Sequence, residues 1–73
     1  MSTIFSLNTN TGYKVAIGKP VEGGSIPLRI ERKVALGVVE SIQVCLSPVD
    51  ASMLASMLDD AAVKGYAVQI GAV

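Results

Sequence analysis

The stretch LSPVDASMLASMLDDA, residues 46–61, decides the fold. Ser47 followed by Pro48 marks a helix start. A serine hydroxyl accepts from a free backbone N–H of the first turn, and a proline at the first helical position lacks a donor that had no partner there anyway. Asp50, at the third helical position, adds negative charge at the positive end of the helix dipole. Val49, Met53, Leu54, Met57, Leu58 and Ala61 then recur at spacings of three and four, which makes one apolar stripe. Ser52, Ala55, Ser56, Asp59 and Val63 lie opposite it. Gly65 is the expected C-terminal stop. The spacing predicts a helix over about residues 48–63. Asp59 and Asp60 sit near its end, where the dipole disfavours negative charge, so they call for basic partners.

Upstream the period changes from 3.6 to two. In TIFSLN, residues 3–8, Phe5 and Leu7 alternate with Ser6 and Asn8, which predicts a strand. NTNTG, residues 8–12, is a turn leading into YKVAIGK, residues 13–19, where Tyr13, Val15 and Ile17 share one face. PVEGGS, residues 20–25, breaks the alternation and predicts an exposed loop. In IPLRIERKVAL, residues 26–36, Ile26, Leu28 and Ile30 point one way while Arg29, Glu31 and Lys33 point the other. Gly37 allows a turn into VVESIQVCL, residues 38–46, with Ile42, Val44 and Leu46 inward and Ser41, Gln43 and Cys45 outward. Downstream of the helix, YAVQIGAV, residues 66–73, alternates again and predicts a last strand with Gln69 outward. The expected architecture is therefore a single α+β domain over residues 1–73. It has an antiparallel, four- to five-stranded curved sheet with one helix packed on one face.

Composition narrows the chemistry. The chain has 73 residues, of which 51% are hydrophobic and 16% charged. A chain this short buries only about 60% of its unfolded surface, so self-association is an expected source of further burial. One cysteine, Cys45, and no histidine leave no intrachain disulfide, no zinc site of the Cys/His kind and no Ser-His or Cys-His nucleophile pair. Asp59 and Asp60 project about 100° apart on a helix and do not converge as a paired carboxylate. The glycines of EGGS, residues 22–25, lack a surrounding phosphate-loop or dinucleotide fingerprint. No catalytic residue, metal or cofactor is expected. With no long apolar run and no basic, apolar leader at the N-terminus, the expected location is cytoplasmic, without a membrane partner.

The net charge is zero but unevenly placed. Residues 1–37 hold five cations, Lys14, Lys19, Arg29, Arg32 and Lys33, against Glu22 and Glu31, a net of plus three. Residues 38–73 hold Lys64 against Glu40, Asp50, Asp59 and Asp60, a net of minus three. On the predicted parities, the outer sheet face carries Ser6, Asn8, Lys14, Ala16, Arg29, Glu31, Lys33, Ser41, Gln43 and Gln69. A polar, mildly basic face of this kind can track a phosphate backbone.

The order of elements, and the segment ESIQVCLSPVDASMLASMLDDA at 40–61, resembles the positive-cofactor-four transcriptional coactivators, which share their fold with the Whirly proteins. GYKVAIGK and IPLRIERK resemble that family's curved, basic strands, whereas the strand after the helix is an addition. The resemblance implies a homodimer that binds single-stranded DNA without enzymatic activity. Lys14, Lys19, Arg29, Arg32 and Lys33 match the DNA-binding strands by position, with Tyr13 as a stacking platform. It also implies helices at the dimer interface, where Ala51, Ala55 and Ala62 allow close approach and Asp59 and Asp60 meet basic residues. The rival expectation, from the neutral charge and the apolar back of the helix, is a structural or protein-interaction module. Such a module homo-oligomerises and ignores nucleic acid.

Overall fold

A computed structural model describes residues 2–71. It contains strands β1 (Thr3–Asn8), β2 (Tyr13–Gly18), β3 (Ile26–Ala35) and β4 (Val38–Leu46), followed by one helix, α1 (Pro48–Gln69). The strands form one open, curved antiparallel sheet in the order β1-β2-β3-β4, so the α+β class and its four predicted strands are present. Thr9 organises the first hairpin: its backbone N–H donates to the Tyr13 carbonyl at 2.8 Å, and its Oγ1 accepts from the Tyr13 N–H at 3.0 Å. The β3–β4 turn needs Gly37, whose φ of +75° lies in the left-handed region that side chains with a Cβ disfavour. Between β2 and β3, the predicted loop holds a short 3-10 turn at Glu22–Gly24.

The helix begins as its sequence dictates. The Ser47 Oγ accepts from the Asp50 N–H at 3.1 Å, and Pro48 occupies the first turn. Its end differs from expectation. The helix does not stop at Gly65 but runs on through Tyr66 to Gln69, so the predicted fifth strand is absent from residues 66–71, and residues 72–73 of that stretch lie outside the described residues. Gln69 is therefore a helical residue and does not join the outer sheet face. Gly65 has no positive φ, and an isolated glycine costs a helix only about 1 kcal/mol relative to alanine. Flanking Ala61, Ala62, Lys64 and Ala67 are good helix formers and carry the chain past it. Gly71 is the glycine that takes the left-handed conformation, at φ +74°, with its N–H donating to the Val68 carbonyl at 3.1 Å.

Cross-strand register sorts the side chains. Leu7, Val15, Ile30 and Ile42 pair across the sheet, as do Phe5, Ile17, Leu28 and Val44. These residues form one apolar face. Ser6, Ala16, Arg29 and Gln43 form a parallel polar row, flanked by Asn8, Lys14, Glu31 and Ser41. The apolar face stays open within one chain. The helix continues from β4 through a single joint residue, Ser47, and contacts the sheet mainly at that strand. It does not lie over the sheet, and Met53, Met57, Leu58 and Val63 on α1 are exposed, as are Phe5, Leu7 and Ile42 on the sheet. Ala16 is the one buried hydrophobic residue among those described. The Cα radius of gyration is 14.7 Å, against about 11 Å for a compact domain of this length. No helix among the described residues is long and apolar enough to cross a membrane.

Candidate nucleic-acid interface

The polar face has a low floor with charged walls. Ala16 of β2 is 3% exposed, and Gly18 and Pro27 are also buried. Small residues at these outward positions keep the floor flat, and longer side chains from β2, β3 and β4 stand around it. Arg29, the register partner of Ala16, lies across this floor. Its guanidinium donates through Nη2 and Nε to the Gln43 Oε1, at 2.9 and 3.3 Å. A neutral amide thus holds the guanidinium in place without cancelling its charge.

Two shallow depressions flank this centre. One is lined by Lys19, Pro27, Arg29, Gln43 and Cys45, and the other by Asn8, Tyr13, Lys14, Glu31, Arg32 and Lys33. Arg29 and Lys33 are four residues apart on one strand face, roughly 13 Å at the rise of a β-strand. Among the described residues the one ion pair is Arg32–Glu40, at 2.9 Å. Lys14, Arg29 and Lys33 therefore present their charges with no carboxylate within ion-pair distance, although Glu31 is opposite Lys14 in register. Cys45 is an exposed free thiol beside Arg29.

The structure does not bring all the predicted residues together. Lys14, Arg29 and Lys33 share the polar face, and Lys19 joins them at its margin. Arg32 and Tyr13 pair with each other in register, on the parity of the apolar face. The Arg32 guanidinium lies 5.8 Å from the Tyr13 ring centroid and donates to Glu40. The hydrogen bond to Glu40, together with the charge of that carboxylate, holds Arg32 above its ordinary pKa. This trio closes one end of the apolar face, and Tyr13 and Arg32 also line the depression that holds Lys14 and Lys33. The remaining aromatics, Phe5 on the apolar face and Tyr66 on α1, are also exposed away from the polar row, so that row carries no stacking platform. The alternation Ile26-Leu28-Ile30-Arg32 already carried this signal: Arg32 has the parity of the apolar residues.

On α1, Ala51 is half-buried by its own chain, while Ala55 and Ala62 are exposed and available to a partner. Asp59 and Asp60 form no ion pair within the described residues. No family model, curated protein or solved structure matches this chain.

Proposed function

We propose that this chain binds single-stranded DNA along its polar sheet face, as a homodimer and without catalysis. The observation that carries the reading is the row of cations Lys14, Arg29 and Lys33, unpaired by carboxylates and set around a floor of small residues. Each cation that neutralises a phosphate releases condensed counterions, which drives binding at low salt. Lys19 extends the track at one end. Gln43 fixes the Arg29 guanidinium before a strand arrives, which lowers the entropy lost on binding. Asn8, Ser41 and further Gln43 contacts offer hydrogen bonds to sugar and base edges. With no aromatic on this face, affinity rests on the phosphate backbone. Binding is then indifferent to base sequence and steeply salt-dependent. The four strands leading through Leu46-Ser47-Pro48 into a helix support the same reading, because they resemble the positive-cofactor-four arrangement. A role near transcription follows from that resemblance.

The test is fluorescence anisotropy of a labelled oligothymidine titrated with protein at low and raised salt. Tight binding that weakens steeply with salt supports the proposal. A lack of binding even at low salt removes it and favours a second reading, for which the open apolar face speaks: an assembly module with no nucleic-acid partner.

A further inference from the structure

The sheet has two open edges. Its strand order puts β1 on one side and β4 on the other, and among the described residues nothing pairs with the outer edge of either. Such an edge presents a row of unpaired backbone N–H and C=O groups, which proteins commonly block with lysine, other charges or proline. β4 carries Glu40 in its ladder and is the strand that meets α1. β1, TIFSLN, has no charged residue and no proline, and all six of its residues are exposed. Its one irregularity, a register shift between Thr3 and Phe5, lies at the N-terminal end.

The hydrogen-bond phase of β1 identifies the groups that point outward. The Thr9 N–H donates to the Tyr13 carbonyl, so Thr9 faces β2. Residues of an antiparallel strand alternate in this respect. Leu7 and Phe5, opposite Val15 and Ile17, therefore also face β2. The N–H and C=O groups of Ser6 and Asn8 are left pointing away from the sheet. Side chains alternate too, with Phe5 and Leu7 on the apolar face and Ser6 and Asn8 on the polar one. A second β1, laid antiparallel about a twofold axis through Ser6, satisfies both alternations. Ser6 exchanges two backbone hydrogen bonds with its own copy, and Phe5 of each chain stands opposite Leu7 of the other. Moving the axis to Phe5 sets Leu7 against Thr3, and moving it to Leu7 sets Phe5 against Thr9. The Ser6 register is the one of the three that gives both apolar residues apolar partners.

We infer that the outer edge of β1 is a docking edge for β1 of a second copy, joining two sheets into one of eight strands. This contact involves neither α1 nor the middle of the apolar face, so it is distinct from the helix pairing that the resemblance implies. An antiparallel twofold pairing is closed and self-complementary, and it covers the unprotected edge of both chains at once. It also makes the two polar faces continuous, with Ser6 at the seam and the two β2 strands about 14 Å apart, three strand spacings. Lys14 of each copy then flanks the seam, so one nucleic-acid strand passes from one basic track to the other. That last consequence rests on the proposed function; the strand pairing does not.

The test uses full-length chains without nucleic acid. In a Cys45→Ser background, Ser6→Cys, Asn8→Cys and Gln43→Cys are each oxidised and run without reductant. At the twofold position the two Cα atoms lie about 5.5 Å apart, within disulfide reach. Self-linked Ser6→Cys is expected to exceed both other products several-fold. Asn8→Cys as the main product overturns the register, and Gln43→Cys as the main product moves the pairing to β4 and overturns the inference. Sedimentation at several protein concentrations supplies a second readout. Ser6→Lys places like charges opposite each other at the axis, and is expected to sediment at about half the mass of the unaltered chain. Equal masses, with circular dichroism showing both chains folded, overturn the inference whether the common state is a monomer or a helix-paired dimer. Oligothymidine binding by the unaltered chain is scored separately, so either reading can fail while the other stands.

Discussion

The double substitution Arg29→Ala and Lys33→Ala tests the interface against its closest internal control, Arg32→Ala. All three are arginines or lysines on one strand, within five residues of each other. Register puts Arg29 and Lys33 on the polar face and Arg32 on the other, where Glu40 already neutralises it. For single strands, each phosphate neutralised contributes about 0.7 to the slope of log affinity against log salt. Four cations, Lys14, Lys19, Arg29 and Lys33, give a slope near −2.8. Raising salt from about 0.05 M to about 0.2 M then weakens the unaltered protein roughly 50-fold. With Lys14 and Lys19 alone the slope falls to about −1.4, and the same change weakens the double variant only about sevenfold. Arg32→Ala keeps the roughly 50-fold loss. The assay is anisotropy of labelled oligothymidine at four or more salt concentrations, with far-ultraviolet circular dichroism to confirm that each variant is folded. A double variant as salt-sensitive as the parent refutes the assignment. A slope flattened equally by Arg32→Ala refutes the argument from register.

Three further outcomes follow from individual contacts. Ser47→Ala removes the oxygen that accepts from the Asp50 N–H and lowers stability by about 1 kcal/mol; a urea midpoint unchanged from the parent contradicts the cap. Gly37→Ala places a Cβ on a φ of +75°, with a loss of about 1–2 kcal/mol by thermal melting. Because no atom crowds that position, a neutral result means the turn adopts another conformation. Cys45 shares a depression with Lys19 and Arg29. Its alkylation with a bulky uncharged maleimide is expected to weaken oligothymidine binding, whereas Cys45→Ser leaves it intact. Binding that ignores the adduct moves the nucleic acid off this end of the face.

Much of the sheet was legible because a period of two leaves little freedom. The alternation in YKVAIG and IPLRIER assigns each residue to a face, and the observed register obeys it. The same alternation puts Arg32 with the apolar residues, whereas the positional match to the resembled family groups it with the basic strands. Charge says what a side chain can bind, and parity says whether it is in a position to do so. The helix start was equally legible, since Ser47, Pro48 and Asp50 act through contacts within one turn. The helix end was not. Tyr66, Val68 and Ile70 alternate like a strand, and Gly65 resembles a stop, yet both signals are weak beside the helix already formed behind them. The true stop, Gly71, is six residues further on. Least legible was the destination of the apolar helix arc, because periodicity identifies a face that needs cover and does not say whose surface provides it.

That Ala16 is the one buried hydrophobic among the described residues has a consequence for the life of the chain. If two copies pair as proposed, the chain gains stability with abundance. Each tenfold dilution removes about 1.4 kcal/mol, so the melting temperature falls as the solution is thinned. Acquiring structure then becomes a second-order event, and newly made chains wait longest when they are scarce. In such a pairing, scarce chains would stay open to proteolysis longer than plentiful ones.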